Sequence, residues 1–151
     1  MPVLVYASDR TRNVWLYVDW VLDSLNNKRP LNQFTIEQLA GDMLPGSTSE
    51  QKLATGFHRQ AMQAKGNNPR KEEFRIKGIV DRLKTTGRTW LGLSLECAEC
   101  HDHKYDPISQ RDYYKMFAIF NNVPHLGSGY NTHGPRMKYI PKGTQQKINA
   151  I

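Results

Sequence analysis

The sequence predicts an all-α fold, an irregular helical domain of about five helices with long loops and a loose C-terminal tail. Three observations predict it. Apolar residues recur at helical spacing in successive segments. Two capping-box signatures, Thr48 with Gln51 and Ser109 with Asp112, precede such segments. No convincing strand pattern stands anywhere between them.

Taken in order, residues 1–13 read as an irregular N-terminal segment. From Val14 to Asn26 the apolar positions Val14, Trp15, Tyr17, Val18, Val21, Leu22 and Leu25 form a wide helical stripe. Asn13 is a plausible N-cap, and the run Asn26-Asn27-Lys28-Arg29-Pro30 ends the helix. A second helix is expected from about Gln33 to Met43, capped by Asn32, with Phe34, Ile36, Leu39, Ala40 and Met43 facing inward. Pro45-Gly46-Ser47 is a turn. The Thr48 box then opens a third helix, about Ser49 to Phe57, with Leu53, Ala54 and Phe57 inside.

Residues 63–70 are a polar loop. A longer helix begins near Lys71, marked by Phe74, Ile76, Ile79, Val80 and Leu83, with Asp81 and Arg82 among them. Thr85-Thr86-Gly87-Arg88-Thr89 weakens helix propensity, but Trp90, Leu91, Leu93 and Leu95 resume the apolar pattern. That segment is expected to stay helical to about Leu93. Tyr105-Asp106-Pro107-Ile108 is a turn, and the Ser109 box opens an amphipathic aromatic helix over 110–121 with Tyr113, Tyr114, Met116, Phe117, Ile119 and Phe120. Residues 125–151 read as loop or tail.

Length and composition bound the chemistry. The 151 residues make one domain by length, with a hydrophobic fraction of 38% and a mean hydropathy of −0.66. Such a chain carries a small core, or is part of a larger protein. The net charge is +7 and the pI about 9.5. The basic residues are scattered among acids, apart from a thin basic tail of Arg136, Lys138, Lys142 and Lys147. No nucleic-acid motif accompanies them, which argues against a nucleic-acid partner. No apolar run approaches the roughly 18 residues of a membrane span. The opening Met1-Pro2-Val3-Leu4-Val5-Tyr6 is too short for the apolar core of a signal peptide.

Chemistry concentrates between the last two helices, at Cys97-Ala98-Glu99-Cys100-His101. This holds both cysteines of the chain and has the C-x-x-C-H pattern of covalent c-type haem attachment. Two thiols at this spacing can each bond one vinyl group of a haem, and the adjacent histidine then falls under the iron as proximal axial ligand. Two plainer readings remain open. The cysteines alone would suffice for a disulfide, and Cys97, Cys100 and a histidine could bind zinc with a distant fourth ligand.

Around the motif, His58 is a candidate for the distal axial position, with a packed or helix-capping histidine as the alternative. His103 is a candidate for contact with a haem propionate or a substrate, and Lys104 or Arg111 for pairing with a propionate. Asp102 could orient the ligating histidine. Met43, Met62 and Met116 are at helical spacing and read first as core. His125 and His133 fall in the tail. Arg59, Arg75 and Arg82 suit salt bridges as well as any site role. No nucleophile elbow and no paired carboxylates in a recognisable context stand in the chain, so nothing reads as a hydrolase.

Residues 97–122, CAECHDHKYDPISQRDYYKMFAIFNN, resemble the planctomycete cytochrome-c-associated domain family. So do DWVLDSLNNKRPLNQFTIEQLAGDMLP (19–45), ATGFHRQ (54–60) and EEFRIKGIVDRLKTTGRTWLGLSLEC (72–97). The resemblance spans about residues 14–124. It implies a mostly helical haem-motif domain of a large exported protein, periplasmic or extracellular, with Cys97 and Cys100 holding haem c and His101 on its iron. It further implies redox partners, either separate proteins or other domains of the same parent chain. Redox steps linked to polysaccharide degradation are implied by association. The family domain normally carries a further helical segment upstream, so this chain resembles its C-terminal part. Two departures stand out. The stretch from Gln60 to Gly66 lacks the family's acidic residues, and Glu96 replaces a glycine common before the first cysteine.

The residues and the resemblance together point to a c-type haem-binding domain with an electron-transfer role, or a haem-dependent oxidoreductase if one axial position is open. The alternative is a non-haem helical interaction module whose cysteines form a disulfide or zinc pair.

Overall fold

The computed structural model describes residues 14–60 and 71–123. Among the described residues the chain is helical, with no strand. Five α-helices carry the fold: α1 (Trp15–Asn26), α2 (Leu31–Ala40), α3 (Ser49–Ala54), α4 (Lys71–Thr86) and α5 (Gln110–Asn121). Short 3-10 segments follow α2 (Gly41–Met43) and α3 (Thr55–Gln60), and a third, Glu96–Glu99, precedes α5. The expected N-cap Asn13, the 63–70 loop, Met62, His125 and His133 lie outside the described residues.

The first three helices wrap a polar centre. Helix α1 ends in a Schellman-type cap: Arg29 N–H bonds Ser24 O at 2.9 Å, Lys28 N–H bonds Leu25 O at 3.0 Å, and Lys28 takes a left-handed φ of 52°. That reversal swings Arg29 back over the ring of Trp20, 5.3 Å from guanidinium to centroid, and onto Glu37 of α2. Glu37 is only 1% exposed. Its carboxylate accepts from Arg29 Nη1 at 2.5 Å, Gln33 Nε2 at 3.0 Å and Gln51 Nε2 at 3.3 Å. A buried carboxylate is tolerable only when paired and hydrogen-bonded in this way.

Beside it, the buried Gln38 accepts a 2.6 Å bond from Tyr17 Oη. The inward side of α2 is therefore Glu37 and Gln38, with Phe34, Leu39 and Ala40 half-buried and Ile36 and Met43 exposed. This corrects the expected apolar face. On α1, Trp20 and Ser24 are buried, while Trp15, Val18, Leu22 and Leu25 of the apolar stripe are exposed. Helix α2 begins at Leu31 after Pro30 rather than behind an Asn32 cap, and no side chain caps it.

Helix α3 opens with the predicted box. Gln51 N–H bonds Thr48 Oγ1 at 3.2 Å, and Thr48 N–H bonds Gln51 Oε1 at 2.9 Å. A methyl group built at Gly41 would sit 2.1 Å from the backbone oxygen of Gln51, so glycine is required for α3 to lie this close.

The second half is apolar. Ile79 and Leu83 of α4, Leu95, Ala98, and Tyr113 and Phe120 of α5 form one buried cluster, with Ile76, Leu93, Ile108, Met116 and Phe117 against it. After Thr86 the helix widens into a π turn, Gly87–Leu91, and Gly92 closes it at φ +66°. Helical backbone thus reaches Leu91, close to the expected Leu93, with its last turn a π turn. Gly87 gives room for the Leu95 side chain, which would lie 2.6 Å from an added methyl. Helix α5 runs as expected from its Ser109–Asp112 box.

Two outcomes are expected in urea unfolding of the full chain. Lys28→Gly stabilises by about 1 kcal/mol, because the left-handed backbone no longer carries a Cβ. Leu83→Ala destabilises by about 2–5 kcal/mol through lost burial and a residual cavity.

Candidate functional site

The motif sits between α4 and α5 because Ala98 is buried. At 0% exposure, its methyl joins the α4–α5 core and anchors the 3-10 turn Glu96–Glu99. The flanking residues Cys97, Glu99, Cys100 and His101 are all exposed. Residues three apart eclipse in 3-10 geometry, and Cys100 N–H bonds Cys97 O at 3.4 Å. The two thiols are therefore carried on one side of the turn. Both are free rather than joined as a disulfide.

Helix α5 holds the turn from the other side. Gln110 Nε2 at 3.1 Å and Tyr114 Oη at 3.2 Å both donate to Glu99 O. Asp102 Oδ1 accepts from Gln110 N–H at 2.7 Å, at the start of the helix. Tyr113 packs beneath. Its phenol is pushed up to about 12, first by burial and then by the nearby negative charge of Glu99. Asp112 of the cap is held down at about 2 by the Ser109 hydroxyl and then by Lys115.

His101 lies exposed with Nδ1 2.7 Å from Asp102 O. A carbonyl can only accept, so Nδ1 carries the proton and Nε2 carries the lone pair. The partner on Asp102 is its backbone oxygen; the expected carboxylate instead caps α5.

The neighbouring candidates have structural employment. The ring of His103 is nearly buried, and its Nδ1 accepts from Asp106 N–H at 2.9 Å and Tyr105 N–H at 3.3 Å. Asp106 Oδ2 also stands 3.2 Å from that nitrogen, but two N–H groups aimed at it put the ring proton on Nε2. His103 thus ties the turn after the motif. Lys104 Nζ lies over the Tyr105 ring at 5.2 Å, and both residues are exposed. Arg111 is exposed on α5.

The structure does not bring His58 to His101. His58 Nε2 bonds Leu39 O at 3.2 Å, and its ring packs edge-on against Phe120 at 5.4 Å between centroids. Phe120 is at the C-terminal end of α5, whereas the motif is tied to Gln110 at the other end. Ten helical residues at 1.5 Å each separate the two by about 15 Å. Two axial ligands of one iron must sit on opposite faces of the same metal, so His58 is placed as a packing residue. Its backbone oxygen also accepts from buried Arg82 Nε at 3.2 Å, joining α4 to the 3-10 segment. Burial lowers the His58 pKa and the Arg82 charge lowers it further, against the raising effect of the Leu39 carbonyl.

Glu96 was not recognised from sequence as a site-shaping residue beyond its departure from the family. It accepts from Lys84 Nζ at 3.2 Å and from Arg88, tying the turn before Cys97 to α4. Burial raises its pKa, but a backbone hydrogen bond, Lys84 and the Arg88 charge outweigh that and hold it below the ordinary value. Arg75 pairs with Glu72 at 2.6 Å and reaches Asn121. Among the described residues no group of three His, Cys, Asp or Glu side chains is arranged to hold a metal ion. No described helix is long and apolar enough to cross a membrane.

The fold and this turn define a small helical domain that presents a dithiol and a histidine at its surface, pinned from below by one alanine. The family model for PSCyt2, described as a protein of unknown function (DUF1549), matches residues 4–125, and the chain belongs to that planctomycete cytochrome-associated family. The match begins upstream of the 14–124 region and includes residues 4–13. No curated protein and no solved structure matches the chain.

The lowered His58 pKa has a sign. The unfolded chain binds this proton more readily, so the associated stability is complete above about pH 6.5 and is lost as pH falls through the lower folded value. Urea midpoints at about pH 7.5 and about pH 5 should therefore differ less in His58→Gln than in the unaltered chain.

Proposed function

We propose that the chain is a c-type haem-binding domain with an electron-transfer or redox role in an exported multidomain protein. The observation that carries the reading is the turn itself. Two free, exposed thiols stand one 3-10 turn apart, followed by a histidine whose Nδ1 is engaged on Asp102 O and whose Nε2 is left as the electron-pair donor. A ligating histidine characteristically has its other ring nitrogen hydrogen-bonded in this way, which sets tautomer and ring orientation. The donor set therefore fits the group. Cys97 and Cys100 would hold it covalently and His101 Nε2 would bind the iron, which when bound supplies one-electron chemistry.

The chain's own residues do the rest. Asp102 O keeps the imidazole proton on Nδ1. Ala98 fixes the turn to the core and so sets the backbone positions of both cysteines. Exposed Lys104 is a cation two residues past the metal ligand's neighbour Asp102, suited to a propionate. His58 and His103 are assigned to packing and to the turn. Export and redox partners belong to the same proposal; for export, the cytochrome-associated family is the support.

The alternative use of the dithiol has less support: among the described residues no group of three side chains is arranged to hold zinc, and the two thiols are free rather than joined. The full chain, exported to a periplasm with c-type haem maturation, should retain haem through denaturation and give a pyridine haemochrome spectrum. Cys97→Ala with Cys100→Ala should abolish covalent retention. His101→Ala should keep attachment but alter the axial spectrum. Carbon monoxide binding to the reduced protein would assign an open site and oxidative chemistry, and a six-coordinate spectrum would assign electron transfer. Absence of retained haem, with zinc or an intramolecular disulfide recovered instead, would sink the proposal.

A further inference from the structure

The outer side of α1 carries a second feature, made without any residue of the motif. Trp15, Val18, Leu22 and Leu25 recur at intervals of three, four and three, and all four are exposed. Beside that stripe a groove of about 260 Å³ lies between α1 and α3, with Trp15, Leu16 and Leu53 as its apolar lining. At about 100° per residue, Asp19 and Asp23 fall along the edge between stripe and groove, and both residues are exposed. Neither carboxylate has a hydrogen-bond or ion-pair partner among the described residues. Glu50 adds an acid on the opposite wall. The surface is thus apolar with an acidic edge, and it is matched by a segment that is apolar with a cationic edge.

The chain itself holds such a segment. Residues 124–151 contain no Asp or Glu and carry Arg136, Lys138, Lys142 and Lys147, which supply more than half of the net charge of +7. In Arg136-Met137-Lys138-Tyr139-Ile140-Pro141-Lys142 cations are interleaved with apolar residues. Alternate side chains of an extended chain face opposite ways. The pattern therefore sets Arg136, Lys138 and Lys142 on one side and Met137, Tyr139 and Pro141 on the other.

Helix α5 ends where this segment can reach the groove. Phe120 packs on His58 with ring centroids 5.4 Å apart. His58 follows Leu53 by five residues along α3 and its 3-10 continuation, which at 1.5–2 Å per residue is at most about 10 Å. The groove therefore lies within roughly 20 Å of the end of α5 once side-chain lengths are added. The residues between Val123 and Arg136 can span about 43 Å when extended, so slack remains. A tethered segment acts at an effective concentration on the order of millimolar, so exposed ion pairs that are individually weak suffice.

We propose that the basic segment 136–142 docks in the α1–α3 groove of its own chain. Met137 and Tyr139 cover Trp15, Leu16 and Leu53, and Arg136, Lys138 and Lys142 lie along Asp19 and Asp23. The other apolar run outside the described residues, Val3-Leu4-Val5-Tyr6, carries no cation. A second copy offering the same face would set Asp19 and Asp23 against their own counterparts.

Isotope-edited NOE spectroscopy of the full chain tests this. Cross-peaks are expected from Met137 and Tyr139 to Trp15 and Leu53. Lys138→Glu with Lys142→Glu should weaken them at least about fivefold, and adding Asp19→Lys with Asp23→Lys should restore them, with helical circular dichroism unchanged throughout. Absence of the cross-peaks in the unaltered chain overturns the proposal, as do cross-peaks that the charge reversal leaves at full strength. A swap that fails to restore them overturns the pairing with Asp19 and Asp23. Cross-peaks to Trp15 from residues 3–6 instead give the groove to the N-terminal segment, and cross-peaks found only between differently labelled molecules of a mixed sample give it to a second copy; either result overturns the proposal.

Discussion

The buried carboxylate of Glu37 is the constraint on which the first half of the molecule depends. It draws Arg29 back from the end of α1 and Gln51 down from the first turn of α3, so three elements meet at one charge. Each donor is useful only if its own element is correctly ended. Arg29 reaches Glu37 because the Schellman-type cap reverses the chain at Lys28. Gln51 is positioned by its part in the Thr48 capping box. Removing a partner would leave a charge stranded in a low-dielectric interior, which costs more than the pair itself contributes. The interaction therefore ties the arrangement of the three elements to one buried charge.

From that centre the order passes to the motif through packing. Helix α2 receives His58 on the Leu39 carbonyl, and the His58 backbone receives Arg82 of α4. Helix α4 packs on α5 through Ile79, Leu83, Tyr113 and Phe120. Ala98 is inserted into that same core, so the turn bearing the thiols inherits its position from helices distant in sequence. The motif is polar and exposed, but its geometry is set by an apolar methyl underneath it.

Much of the local structure was legible. Both capping boxes form as read, because a Ser or Thr followed three residues later by an acceptor side chain carries its whole mechanism within four residues. Helix α5 was legible to its ends. The faces of α1 and α2 were not. Apolar periodicity assigned Trp15, Val18, Leu22, Leu25, Ile36 and Met43 to the interior, whereas Glu37, Gln38 and Ser24 occupy it. A hydropathy pattern treats a glutamate as outward because an isolated carboxylate is costly to bury; it cannot register that Arg29, Gln33 and Gln51 converge on this one. The extent of the α4 segment was legible to within two residues, but its last turn is a π turn closed by Gly92 in the left-handed region, a change of hydrogen-bond pattern that a run of apolar residues does not reveal.

By itself, then, the sequence determined the helical class, the helix starts that have capping boxes, and the identity of the one turn that concentrates cysteine and histidine. These depend on contacts within a few residues or on residue type alone. Only the tertiary structure decided which histidines are available. His58 and His103 are withdrawn into packing and turn-fixing bonds with partners that spacing cannot supply, while His101 is held outward with its Nε2 electron pair directed away from the Asp102 carbonyl. Selection among like residues is a matter of burial and hydrogen-bond partners, and those are fixed when distant segments meet.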